Sequence, residues 1–226
     1  MPVTSPAQAS FVDFVPPADW AALATAGQLR RLPAGRVLFL QEATESEVLV
    51  LLSGSVKVFR TEMNGHQSLI GIRLGGDLIG EMAALNGTPR SAGVAVLRPV
   101  EARVLTAERF NALITARGLD RALHRYHSAR VRESDEQRVE IALLPVRQRL
   151  ARTLLRLAHR KDGDENRAVL DLGLPQDALG QLIGASRNAV VAELTLLRKA
   201  GVLRTEHRRM YLTDLARLAE IGYELS

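Results

Sequence analysis

The sequence predicts an α+β protein made of a roll of short strands, one long helix, and a winged helix-turn-helix toward the C-terminus. Three observations predict it. Between Arg36 and Leu105 apolar runs are cut by glycine and asparagine turns. From Leu119 to Leu144 the chain has neither glycine nor proline. Gly184-Ala185-Ser186 then joins two short amphipathic segments.

In the roll, Val48-Leu49-Val50-Leu51-Leu52 runs into Ser53-Gly54, Val56 and Val58 flank Lys57, and Asn64-Gly65 makes a hairpin turn. Leu69 to Leu74 is a further strand closed by Gly75-Gly76-Asp77. Ala92, Val94 and Val96, then Val100, Ala102 and Val104, alternate as strands do. Many short strands at close turn spacing make a roll or barrel.

Between these strands lies Gly80-Glu81-Met82-Ala83-Ala84-Leu85-Asn86-Gly87-Thr88-Pro89-Arg90-Ser91-Ala92. A phosphate needs a forked guanidinium, free backbone N–H groups and a hydroxyl donor, which Arg90, the turn before it and Ser91 supply. A ribose hydroxyl needs an acceptor, and Glu81 is one.

Thr106 reads as the N-cap of a helix carrying Phe110 and Leu113, with Glu108 in its first turn. The stretch from Leu119 to Leu144 then predicts a helix about 37 Å long. A single roll cannot cover such a helix, so it bridges domains or packs on a copy of itself. Its 4-3-4-3 positions read His127, Val131, Ser134, Arg138 and Ile141, a polar version of a coiled-coil seam. Pro145 ends or kinks it. Val146 to Arg160 is a second amphipathic helix with Leu150, Leu154, Leu155 and Leu157 inside, and Lys161 to Arg167 is a polar loop.

Pro175 opens a short helix to Ile183, and Gly184-Ala185-Ser186 leads into a longer helix from Arg187 to about Ala200. Gly180 lets the two helices approach, Gly184 allows the turn, and Ser186 caps the second helix. Val190, Leu194 and Leu197 face the core, which leaves Arg187, Asn188, Val191, Ala192 and Thr195 nearer the open face. Recognition helices read bases with their N-terminal residues, for which Arg187 suits guanine and Asn188 adenine. Val202-Leu203-Arg204 and Met210-Tyr211-Leu212 flank a turn whose Arg208 and Arg209 would lie on phosphates as a wing.

The cassette at 80–92 closely resembles the phosphate-binding cassette of cyclic-nucleotide-binding domains, in which Gly-Glu precedes a short helix and then Arg-Ser/Thr-Ala. The resemblance implies Glu81 on the ribose and Arg90 with Ser91 on the cyclic phosphate, framed by Gly80 and Ala92. Leu32 to Phe39 and Leu52 to Val58 also resemble that family's β-roll. A departure is Gln41-Glu42-Ala43, where Glu-Gly-Asp is more usual. Over about residues 30–215 the chain resembles the cyclic AMP receptor protein / FNR superfamily of bacterial transcription regulators. That implies a cyclic-nucleotide-binding β-roll over 1–118, a dimerisation helix over 119–144 and a winged helix-turn-helix over 145–226.

It further implies a cytoplasmic homodimer that binds an inverted repeat in double-stranded DNA, answers to a cyclic nucleotide, with cAMP expected, and works with RNA polymerase. Aligned positions place Arg130 toward the phosphate and Ser134 with Asp135 toward the base. The Asp135 acceptor suits either adenine N6 or guanine N2. In the recognition helix Asn188 stands where a close family member has glutamate and Ala192 where it has arginine, so the operator need not be the same.

Composition narrows the alternatives. Of the 30 Lys+Arg and 25 Asp+Glu, residues 1–118 hold 11 and 10 and residues 119–226 the remaining 19 and 15, net +1 and +4. The more basic C-terminal half agrees with a nucleic-acid partner. With no cysteine, disulfides, thiolate zinc and a cysteine-held iron-sulfur cluster are excluded. No apolar run approaches a membrane span. His66 on its hairpin turn is a poor haem ligand, and the five histidines show no metal spacing on an identified site, so neither a metal nor catalysis is expected. The rival reading within the family is a regulator that binds DNA without nucleotide or responds to another ligand.

Overall fold

Val48 and Val50 pack into a cluster with the surrounding helices, while Leu49 and Leu51 pack into the roll interior. Both faces of this strand are therefore buried, and its sequence is continuously apolar for that reason. The strand belongs to the computed structural model of the chain, which describes residues 9–161, 164–170, 173–206 and 209–224. Two compact units divide between Val131 and Arg132.

In the first unit a 3-10 turn at Phe11–Phe14 and helix α1 (Pro17–Thr25) precede strands β1 (Gln28–Leu32), β2 (Val37–Phe39), β3 (Val48–Thr61), β4 (Gln67–Leu74) and β5 (Leu78–Ile79). Helix α2 (Glu81–Asn86), strand β6 (Gly93–Leu105) and helix α3 (Ala107–Ala116) follow, and α4 (Asp120–Leu143) begins here. The sheet runs β1-β6-β3-β4, with β2 on β6 and β5 on β3. All these pairings are antiparallel.

Pro99 lies in β6, a strand with neighbours on both sides, although it has no N–H to donate. The β3–β6 register slips between Leu51 and Val56, opposite this stretch, and that irregularity accommodates the proline and curls the sheet. Thr106 caps α3 by accepting from Arg109 N at 3.2 Å. Tyr126 of α4 is 1% exposed and meets Phe11 edge-on, ring centroids 5.5 Å apart. Nothing local in the sequence marks the N-terminal turn, α1 and β1 as part of a roll.

The second unit contains the rest of α4, then α5 (Val146–Leu157), β7 (His159–Lys161), β8 (Asp164–Leu170), α6 (Gln176–Ile183), α7 (Arg187–Lys199), β9 (Leu203–Glu206), β10 (Arg209–Leu212) and α8 (Leu215–Tyr223). Two expectations are corrected. The helix expected to reach Arg160 ends at Leu157, and the polar loop expected from Lys161 is largely strand, because β7 pairs with β8 and β8 with β10. Sheet pairing made by distant residues overrides local helix preference there. In α5, Leu150, Leu154 and Leu157 are buried while Leu155 is half-buried. Glu140 of α4 accepts two hydrogen bonds from Arg156 of α5 at 2.7 and 2.9 Å, and both residues are buried.

Candidate functional site

Gly80 ends the β5 turn in the left-handed region, with φ 87°. A Cβ there would lie 2.4 Å from Arg90 Nη1, 2.8 Å from Glu47 O and 3.0 Å from the Phe39 ring, so glycine is required both by conformation and by space. The space is taken up by Arg90. Its guanidinium donates to Gly80 O at 2.8 Å and Glu47 O at 2.6 Å and stacks on Phe39 with 3.9 Å to the ring centroid. Nε is buried with no hydrogen-bond partner among the described residues. Burial pulls the Arg90 pKa below its ordinary value, against the opposing charges of Glu45, Glu81 and Glu47.

The departure at Gln41-Glu42-Ala43 bears directly on this arginine. Glu42 N donates to Arg90 O and Arg90 N donates to Ala43 O, both at 2.8 Å. Glu42 has φ 65°, a left-handed conformation that favours glycine.

Glu81 opens α2 and is 8% exposed. Its Oε1 lies 3.2 Å from His127 Nε2 of α4. Arg90, Ser91, Ala92, Gly80 and Glu81 all line one cleft of about 150 Å3, with Ser91 exposed and Ala92 buried. Closed ligand pockets usually measure about 300–1,000 Å3, so a nucleotide seated here would extend beyond the cleft. Arg73 of β4 lines the same cleft and donates to Ile72 O at 2.8 Å.

Arg130 was expected to face the phosphate. Its Nη2 donates to Asp77 Oδ1 at 2.8 Å and Ala9 O at 2.7 Å. Asp77, fully buried, also accepts from Leu74 N and from the Tyr126 hydroxyl. Burial raises the Asp77 pKa, and the nearby Arg130 and Arg73 charges only partly oppose it. The Tyr126 hydroxyl is pushed up too, by burial first and then by Asp77 and Glu81. Ser134, half-buried, and Asp135, exposed and paired with Arg138 at 3.0 Å, lie past residue 131 in the second unit.

Tertiary structure adds Arg73 and His127 to the site. Arg73 shares a strand face with Gly71, and a lone charge on an otherwise apolar strand was the signal available. His127 carries none, since its partner is 46 residues away.

In the second unit, a Cβ on Gly180 would sit 2.6 Å from Ala185 O, so the close approach of α6 to the turn requires glycine. Arg149 closes α6 by donating to Ile183 O at 2.6 Å. Ser186 caps α7, its hydroxyl accepting from Ala189 N at 3.2 Å. Val190, Leu194 and Leu197 are buried. Arg187, Asn188 and Ala192 are exposed, and Val191 and Thr195 half-buried, on the opposite side. Thr195 donates to Val191 O at 2.8 Å. Arg209 is exposed opposite Glu206 in the β9–β10 hairpin, and Arg208 lies outside the described residues.

Among the described residues no helix is long and apolar enough to cross a membrane, and no group of three or more acidic or histidine side chains is arranged to hold a metal.

Comparison with known proteins assigns both units. The cyclic nucleotide-binding domain matches residues 29–117 and the Crp-like helix-turn-helix domain residues 148–221. The chain is 27% identical over 215 residues to the CRP-like cAMP-activated global transcriptional regulator of Mycobacterium tuberculosis, covering 94% of this chain and 96% of that one. It is 29% identical over 202 residues to the Cyclic AMP receptor protein of Thermus thermophilus, covering 88% and 90%. Among solved structures, FixK2 from Bradyrhizobium japonicum is similar in fold, with a TM-score of 0.73 at 15% identity over 89% of this chain and all of that one.

Proposed function

Because this chain belongs to the cyclic AMP receptor protein / FNR (Crp/Fnr) superfamily of bacterial transcription regulators, we propose that it is a homodimer gated by a cyclic nucleotide, cAMP first, bound beside Arg90. The family consists of transcription regulators, not enzymes. The observation that carries the ligand reading is the buried, partnerless Nε of Arg90, whose side chain lines the cleft together with exposed Ser91. A cyclic phosphate oxygen satisfies such a donor, and buried donors cost stability when left unmet. Glu81 then accepts from the ribose 2′-hydroxyl. The names of the two relatives above support cAMP as the first ligand to try.

The long helix over 119–144 serves as the dimer axis in this reading, supported by the exposure of Val131, Val139 and Leu143 at 62, 56 and 75%. Ser186, Arg187, Asn188, Val191, Ala192 and Thr195 meet DNA bases and backbone, with Arg208 and Arg209 on phosphates. The proposed partners are double-stranded DNA and RNA polymerase, in the cytoplasm.

A second reading has its own observation. Arg90 Nη1 and Nη2 are already bonded to backbone carbonyls, which suits a regulator whose cleft stays empty and which binds DNA without nucleotide. Titration calorimetry with cAMP and cGMP, paired with gel shifts on an inverted repeat with and without each ligand, decides between them. Binding of either nucleotide with a changed DNA affinity supports gating. DNA binding indifferent to both selects the second reading.

A further inference from the structure

We propose that His127 is a positioning residue for nucleotide recognition: by holding one oxygen of the Glu81 carboxylate, it aims the other at the 2′-hydroxyl of the ligand. The inference rests on the reading of Glu81 as the ribose acceptor.

Glu81 is the first residue of α2, fixed at its backbone by the left-handed turn at Gly80. The backbone does not fix its carboxylate plane, because the terminal torsion of a glutamate is broad. A second contact is needed to orient it. His127 Nε2 lies 3.2 Å from Oε1, and the two side chains are 31 and 11% exposed. A neutral imidazole with Nε2 protonated donates this bond without any charge, so protonation to imidazolium is not required.

The imidazole is braced in turn. Tyr126, its neighbour on α4, lies with its ring centroid 5.6 Å away, and the Tyr126 hydroxyl is 3.2 Å from Asp77 Oδ1. A chain of contacts therefore runs from the β4–β5 turn through α4 to the ribose acceptor. A carboxylate has acceptor capacity for more than one donor, so the oxygen not held by His127 stays available to a hydroxyl. The plain competing role is a strut between α2 and α4, which would support the cleft without selecting any ligand atom.

The 2′-hydroxyl separates the two roles. Affinities of the full chain for cAMP, cGMP and their 2′-deoxy counterparts are measured by calorimetry for wild type, His127→Ala and His127→Gln, with thermal melts to establish that each variant folds. Positioning predicts that wild type prefers the ribose form. His127→Ala then weakens that form by about tenfold while leaving the deoxy form within about twofold. His127→Gln, whose amide can donate to Glu81, recovers most of the loss. Equal weakening of ribose and deoxy ligands by His127→Ala, or no weakening of either, overturns the role of His127 while the cleft reading stands. A wild type that binds neither form, or binds both alike, overturns the ribose reading of Glu81 and this inference with it.

Discussion

Arg130 Nη2 and Asp77 Oδ1 lie 2.8 Å apart in an ion pair whose carboxylate has no solvent exposure. Burial outweighs the pairing and raises the Asp77 pKa above its unfolded value of about 3.9. For an acid raised in this way, its contribution to stability is fully present below the unfolded pKa and is lost as pH rises through the folded one. Asp77→Asn removes the titration and also one of the two carboxylate oxygens that accept from Arg130, Tyr126 and Leu74 N. The variant is expected to be less stable, by a margin that shrinks as pH rises from about 4 toward 7. Urea unfolding across that range measures it, and a margin that grows with pH contradicts the assignment.

Glu140 and Arg156 make a buried, two-pronged pair joining α4 to α5. Replacing Glu140 by Gln alone leaves a buried guanidinium without its counter-charge and should cost about 3–5 kcal/mol. Replacing both, as Glu140→Leu with Arg156→Met, should cost less than either single change. Chemical denaturation of Glu140→Gln, Glu140→Leu, Arg156→Met and the double variant checks the order.

Glu42 holds a left-handed backbone whose cost for a non-glycine residue is about 1–2 kcal/mol. Glycine returns part of that as extra freedom of the unfolded chain, so Glu42→Gly should stabilise by roughly 0.5–1 kcal/mol. An unchanged or lower melting temperature would show that the Glu42 side chain makes a compensating contact.

Arg90→Ala should weaken cyclic-nucleotide binding by about tenfold or more, since charge-assisted hydrogen bonds contribute roughly 1.5–3 kcal/mol each. Arg90→Lys should recover little, because a point charge cannot reproduce the fork. Calorimetric affinities unchanged in both variants would remove Arg90 from the phosphate site.

On DNA, Arg187→Ala should cost about 1–3 kcal/mol and relax the preference at one base pair per half-site. Arg209→Ala in the wing should instead weaken all sequences alike and flatten the salt dependence, because phosphates carry no sequence information. Gel shifts against an inverted repeat with half-sites about one turn apart, and its single-base variants, read both. Full discrimination retained by Arg187→Ala would end its role as a base reader.

The sequence by itself determined the local structure. The Asn64-Gly65 turn, the Thr106 and Ser186 caps, the glycine turn at 184 and the apolar faces of α5 and α7 all follow from residues within about four positions of one another, a range over which spacing fixes geometry. The cassette was legible for the same reason, since Gly80, Glu81, Arg90 and Ser91 sit in one short segment. Tertiary structure decided the partners: His127 on Glu81, Arg130 on Asp77, the carbonyls around Arg90, and the strands that replace the expected end of α5 and the polar loop after it. Periodicity states that a side chain is buried or that a strand has a face. What that face meets depends on how segments far apart in the chain pack, and no spacing within one segment encodes that.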